Sequence, residues 1–163
     1  MQLAKSWIEV CRTEHPECEN RRWSVDERNY LVPTRLLRVS ARNATIRLVE
    51  KRDVPDDIQY MTLSHRWRKI KNKIVLTREN LESFKRGIPP LDALQTFVDV
   101  FEVVRRLGVE YVWIDSLCII QNSKEDWEME ASKMCYVYKY SYCHMFLLSY
   151  YSWSVFQAYI VSP

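Results

Sequence analysis

Glycine is nearly missing from the chain: only Gly87 and Gly108 occur in 163 residues. A GxGxxG dinucleotide turn and a GxxxxGK phosphate loop both need closely spaced glycines that let backbone approach a pyrophosphate, so neither is present. Classical Rossmann and P-loop nucleotide enzymes are thereby excluded. An excess of charge of one sign is missing too. Lys and Arg number 24 against 21 Asp and Glu, a net charge of +3 that is too balanced to mark a nucleic-acid binder by bulk electrostatics. The amino terminus lacks the unbroken apolar stretch of a signal peptide, because Lys5 and Glu9 interrupt it. The five cysteines (Cys11, Cys18, Cys118, Cys135, Cys143) are odd in number and follow no compact disulfide spacing. That points to a reducing compartment and, by default, to the cytoplasm. What is present is 47% hydrophobic and 13% aromatic, enough to bury the core of one domain.

Leu3, Trp7, Ile8 and Cys11 recur at helical spacing until Pro16 stops the pattern, which predicts a leading helix. A polar stretch runs to Pro33, after which Arg35–Val39 and Thr45–Val49 alternate as the two strands of a small hairpin would. Gln59–Ser64 reads as a buried strand, with a basic loop from His65 to Lys73 behind it. Leu91, Leu94, Phe97, Val98, Phe101, Val104 and Leu107 keep a period of about 3.6, with Pro89-Pro90 at the start and Gly108 where a cap belongs. Val109–Ile114 is a continuous apolar run, the mark of a strand buried on both faces. Ser123 and Asp126 form a capping box for a helix through about Tyr138, and Met145–Leu148 is a further strand. Helices alternating with buried strands predict an α/β fold: a mostly parallel sheet flanked by helices, preceded by the leading helix and the small hairpin.

Ligands of open parallel sheets sit beyond the carboxyl ends of the strands. Two such ends carry chemistry, Ser64-His65-Arg66-Trp67 and Asp115-Ser116-Leu117-Cys118. Asp115 either holds a ribose hydroxyl or basic partner, or caps the turn that follows it. On the helix after Ser123, Trp127, Ala131, Met134 and Tyr138 share an arc with Glu130 at its edge, which predicts a carboxyl desolvated beside an indole. Desolvation raises a carboxyl pKa and concentrates its field, as an acid, a base or a stabiliser of a cationic transition state requires.

Tyr60-Met-Thr-Leu-Ser-His-Arg-Trp67, Leu76-Thr-Arg-Glu-Asn80, Tyr111-Val-Trp-Ile-Asp-Ser-Leu-Cys-Ile-Ile-Gln121 and Asp126-Trp-Glu-Met-Glu-Ala-Ser-Lys-Met134 resemble, in order and spacing, the fungal heterokaryon-incompatibility (HET) domain. The Pro33-Thr-Arg-Leu-Leu37 lead-in is similar as well. The resemblance divides the chain into a lead-in helix and polar linker (1–30), a HET-like domain (31–149) and a divergent apolar tail (150–163). It implies a role in non-self recognition and programmed cell death, and a distant likeness to TIR domains, which have a flavodoxin-like sheet and either assemble or cleave NAD. Enzymatic TIR domains place a glutamate shortly after a tryptophan on a helix, and Glu130 after Trp127 resembles it. The resemblance thus implies Glu130 as the catalytic residue, with Ser64, His65, Trp67, Asp115 and Trp127 binding substrate. NAD would be the substrate, with no metal or resident cofactor. The alternative it implies is a non-enzymatic module that associates with itself or with another incompatibility protein. His65 and Arg68 stand where the family has Tyr and Gly, and the likeness ends near Ser149, so an inactive truncated copy is a third reading.

Three other features have competing readings. Cys11, His15 and Cys18 lie at i, i+4 and i+7, either as three ligands of a zinc ion or as buried thiols and a surface histidine, since no fourth ligand is evident. The basic run Arg66–Lys73 either attracts a pyrophosphate or an acidic partner, or is a solvated surface, and its lack of interleaved aromatics argues against nucleic acid. Residues 140–163 hold no charge, but their serines and Gln157 dilute the hydrophobicity, so packing onto the domain or an exposed tail is expected over membrane insertion. Cys118 is expected as core, not as a nucleophile.

Overall fold

A computed structural model of the chain describes residues 2–15, 33–40, 45–56, 58–65, 74–89, 95–147 and 156–159. Helix α1 (Gln2–Glu14) leads, then strands β1 (Arg35–Val39) and β2 (Ile46–Glu50), a 3₁₀ turn at Lys51–Asp53, and β3 (Tyr60–Ser64). After these come helices α2 (Leu81–Arg86) and α3 (Gln95–Leu107), strand β4 (Tyr111–Ile114) and the single turn α4 (Asp115–Cys118). Helix α5 (Lys124–Lys139), β5 (Cys143–Leu147) and β6 (Phe156–Tyr159) complete the order. The strands of the described residues lie in one six-stranded sheet, β2-β1-β4-β3-β5-β6.

The fold is α/β, with a mixed sheet where a mostly parallel one is expected. Among the described residues, only the central pairings β3–β4 and β3–β5 are parallel. Strand β1 runs antiparallel to both β2 and β4, and β6 antiparallel to β5. Connection length explains the difference. The links from β1 to β2 and from β5 to β6 are too short for a parallel crossover, which takes about a dozen residues or more. The hairpin is also no separate unit, because β1 docks on β4 and extends the sheet.

Strand β4 is buried at all four positions, which is why its sequence is continuously apolar. Phe97, Val100, Phe101 and Val104 of α3 are buried at the expected spacing, whereas Val98 faces outward. Gly108 ends that helix at φ +79, where its N–H reaches the Arg105 carbonyl (3.0 Å) and the Val109 N–H the Val104 carbonyl (3.1 Å). This double closure needs a left-handed residue, and glycine supplies it at least cost.

Alternation along β3 sorts its side chains between two faces. Tyr60, Thr62 and Ser64 point toward α5, where the Tyr60 hydroxyl donates to the Val137 carbonyl at 2.9 Å. Thr62 Oγ1 lies 2.6 Å from His144 Nδ1 on the neighbouring β5. Met61 and Leu63 are fully buried on the opposite face. The sheet therefore has a hydroxyl-rich layer beneath α5 and an apolar layer behind it.

Candidate functional site at the carboxyl rim of the sheet

The parallel register pairs Leu63 with Ile114, so the residues that follow, Ser64-His65 and Asp115, emerge side by side at one rim. His65 Nδ1 lies 3.7 Å from Asp115 Oδ1, with the side chains 11% and 21% exposed. The His65 ring stands edge-on to Phe97 at 5.2 Å between centroids. Asp115 Oδ1 also accepts the Ser116 N–H at 2.6 Å, so capping the turn and facing a basic partner are met by one carboxylate. Ser64 Oγ donates to the Tyr138 hydroxyl at 3.4 Å, which brings α5 into the cluster. Burial raises the Tyr138 pKa, and the Asp115 charge adds to the effect. Trp67 lies outside the described residues.

Glu130 occupies a different setting from the one its spacing predicts. It is 1% exposed, while Trp127 is 53% exposed. The inward line of α5 runs through Glu130 and Val137, so the helix is rotated away from the expected arc. Glu130 Oε1 accepts a hydrogen bond from Thr34 Oγ1, and Lys133 Nζ lies 3.8 Å from the same oxygen. Its Oε2 is buried with no hydrogen-bond partner among the described residues. Burial pushes the Cys118 thiol up to about 12 against the lowering pull of its backbone hydrogen bond at Ile114 and of Arg35, with smaller upward contributions from the Glu130 and Asp115 charges, so the protonated thiol is the form favoured at neutral pH.

Composition and spacing did not point to the strongest polar contact near the site. Arg35, at the start of β1, donates through Nη2 to Asp126 at 2.5 and 2.6 Å and through Nε to the Cys118 carbonyl at 2.8 Å. Asp126 Oδ2 also accepts the Ile120 N–H at 2.8 Å. The expected cap is present, since Ser123 Oγ accepts the Asp126 N–H at 3.3 Å, but the Asp126 carboxylate serves Arg35 and Ile120. Neighbouring Thr34 and Arg35 thus reach acids one helical turn apart on α5. The only available signal was the Pro33-Thr-Arg-Leu-Leu37 segment.

Much of the Asp115–Gln121 motif is spent on holding loops together. The Leu76 N–H donates to the Ser116 carbonyl and the Gln121 N–H to the Leu76 carbonyl, each at 2.9 Å. Gln121 Nε2 ties the Asp115 and Ile119 carbonyls at 3.0 and 2.9 Å. Asn80 closes its own turn, accepting from Thr77 N–H and donating to the Val75 carbonyl, both at 2.8 Å. These two motifs are one interlaced structure, which leaves the rim side chains as the groups available for chemistry.

Cys11 is buried, His15 is exposed, and Cys18 lies outside the described residues, as does the basic run 66–73. Among the described residues, no three His, Cys, Asp or Glu are grouped to hold a metal, and no helix is long and apolar enough to cross a membrane. Part of the uncharged carboxyl-terminal stretch, Phe156–Tyr159, pairs with β5 as an edge strand.

The family model described as heterokaryon incompatibility protein (HET) matches residues 60–159, from the first residue of β3 to the last of β6. No curated protein and no solved structure matches the chain. Because the match takes in more than half of the sequence, including both rim loops and the whole of α5, the chain belongs to the HET family.

Proposed function

We propose that the chain acts in fungal non-self recognition and the cell death that follows, through a rim site that cleaves NAD at its nicotinamide–ribose bond. The observation that carries this reading is the part-exposed Asp115 carboxylate facing His65 beside Ser64, at strand ends where open sheets bind ligands. Strand order adds support. From β3 the chain moves to β4 on one side and then to β5 on the other, which is how a flavodoxin-like, TIR-like sheet begins. Breaking the bond releases neutral nicotinamide and leaves a ribosyl oxocarbenium ion, which a fixed carboxylate stabilises. Asp115 is the carboxylate nearer solvent, and Glu130 contributes its field from the interior without touching the ribose.

The complete burial of Glu130 against Thr34 favours a second reading, in which the carboxylates are structural and the output is association with itself or with another incompatibility protein. Met129 and Tyr136, two turns apart, are exposed on one flank of α5 for such contacts, and Trp127 is exposed on the other. Purified protein incubated with NAD separates the two. The enzymatic reading expects nicotinamide release that falls about 10²-fold or more in Asp115→Asn with oligomeric state unchanged. NAD left intact by assembled protein overturns it in favour of the module.

A further inference from the structure

We infer that a hydrogen-bond relay running one way beneath α5 fixes the tautomer of His144, and that His144 and Ser141 thereby act as positioning residues for Tyr138 at the rim. The assignment rests on the reading of the rim as the site. Its direction follows from counting protons. Ser141 Oγ lies 2.9 Å from the Tyr138 carbonyl, which can only accept, so the one hydroxyl proton of Ser141 is spent there. Thr62 Oγ1, 3.2 Å from Ser141 Oγ, must then donate to it. With its own proton committed, Thr62 Oγ1 is left to accept from His144 Nδ1 at 2.6 Å. Neutral His144 is therefore the Nδ1–H form, with Nε2 unprotonated. Burial, which depresses His144 to about 4, keeps the ring in that neutral form at pH 7.

Both ends of the relay close on Tyr138. At its start the Nδ1 bond fixes the His144 ring, which stands at 76° to the Tyr138 ring with 4.7 Å between centroids. Trp113 braces the same ring at 88° and 5.6 Å. At its end Ser141 holds the Tyr138 carbonyl through Oγ and through its N–H at 3.3 Å, supplying donors that the last turn of a helix lacks. Tyr138 is thus gripped by ring and backbone together. Its hydroxyl is held where Ser64 Oγ, at the end of β3, donates to it at 3.4 Å. His144 and Ser141 act on the rim only through Tyr138.

The test is the tautomer of His144 at neutral pH, read by ¹⁵N shifts that distinguish a protonated ring nitrogen from a bare one. In the wild type Nδ1 is expected to be protonated and Nε2 bare. Ser141→Ala, checked by its melting curve, leaves His144 and Thr62 intact but frees the Thr62 proton to turn to Nδ1. The ring proton is therefore expected to move toward Nε2, and the nuclear Overhauser contacts between the Tyr138 ring and Ser64 to weaken. Nicotinamide release is expected to slow about tenfold in the same variant, as a displaced site group would make it. An Nε2–H ring in the wild type, or a tautomer unmoved by Ser141→Ala, overturns the relay. A moved tautomer with the Tyr138–Ser64 contacts unchanged overturns the positioning role. NAD left intact by wild-type protein that shows the expected tautomer and contacts overturns the cleavage reading alone.

Discussion

Arg35 and Asp126 are charged side chains only 8% and 11% exposed, so each depends on the other to offset its desolvation. Removing Arg35 leaves Asp126 as an uncompensated buried charge and takes away the hydrogen bond to the Cys118 carbonyl. Arg35→Met is expected to destabilise the protein by about 3–5 kcal/mol, measured as a shift in urea unfolding. A smaller effect, about 1 kcal/mol, is expected for Gly108→Ala, because a Cβ at φ +79 is strained even though space around it is open. Thiol labelling offers a separate check. Burial pushes Cys118 up to about 12 and Cys143 up to about 11, so both should resist iodoacetamide at pH 8 in the native state while the exposed Cys135 reacts. At this scale the rim residues Ser64, His65 and Asp115 were legible, since strand ends can be read from pattern. Thr34 and Arg35 were not, because their partners lie over ninety residues away and only the folded chain brings them together.

The layer between α5 and the sheet is unusual in its polarity. Thr62, Ser141 and His144 hydrogen-bond beneath Tyr138, with Thr62 Oγ1 donating to Ser141 Oγ at 3.2 Å. Burial depresses His144 to about 4 from an ordinary value of 6.5. The unfolded chain therefore binds more protons between these values, and stability rises with pH across that window. The contribution is fully present above about pH 6.5 and is lost as pH falls through about 4. We expect acid to cost on the order of 2 kcal/mol through this residue, and His144→Gln to flatten the dependence in urea midpoints measured across the same range. Elements with a full period or a strict alternation, such as α3, β3 and β4, could be read from sequence. Helix α2 and the single turn α4 are too short to display a period; Asn80 closes the turn that precedes α2 by accepting the Thr77 N–H, and Asp115 accepts the Ser116 N–H within α4.

For the molecule as a whole, α/β class followed from the alternation of buried strands with an amphipathic helix, but strand direction did not. Direction was decided by two short connections and by the hairpin joining the main sheet. Protection should follow the resulting order. Amides of Met61–Leu63 and Val112–Ile114, fully buried in the sheet centre, are expected to exchange slowest, and those of the outer strands β2 and β6 fastest, as hydrogen-exchange mass spectrometry would read.

The place of β1 has a practical consequence for anyone shortening this protein. The family match begins at β3, yet the strand seated between β2 and β4 comes from before it. A fragment cut to residues 60–159 would strip one flank of β4 bare, leaving its amides and carbonyls to recruit a strand from another molecule. Such a fragment should precipitate or exchange strands, whereas a cut made upstream of Pro33 preserves a sealed flank.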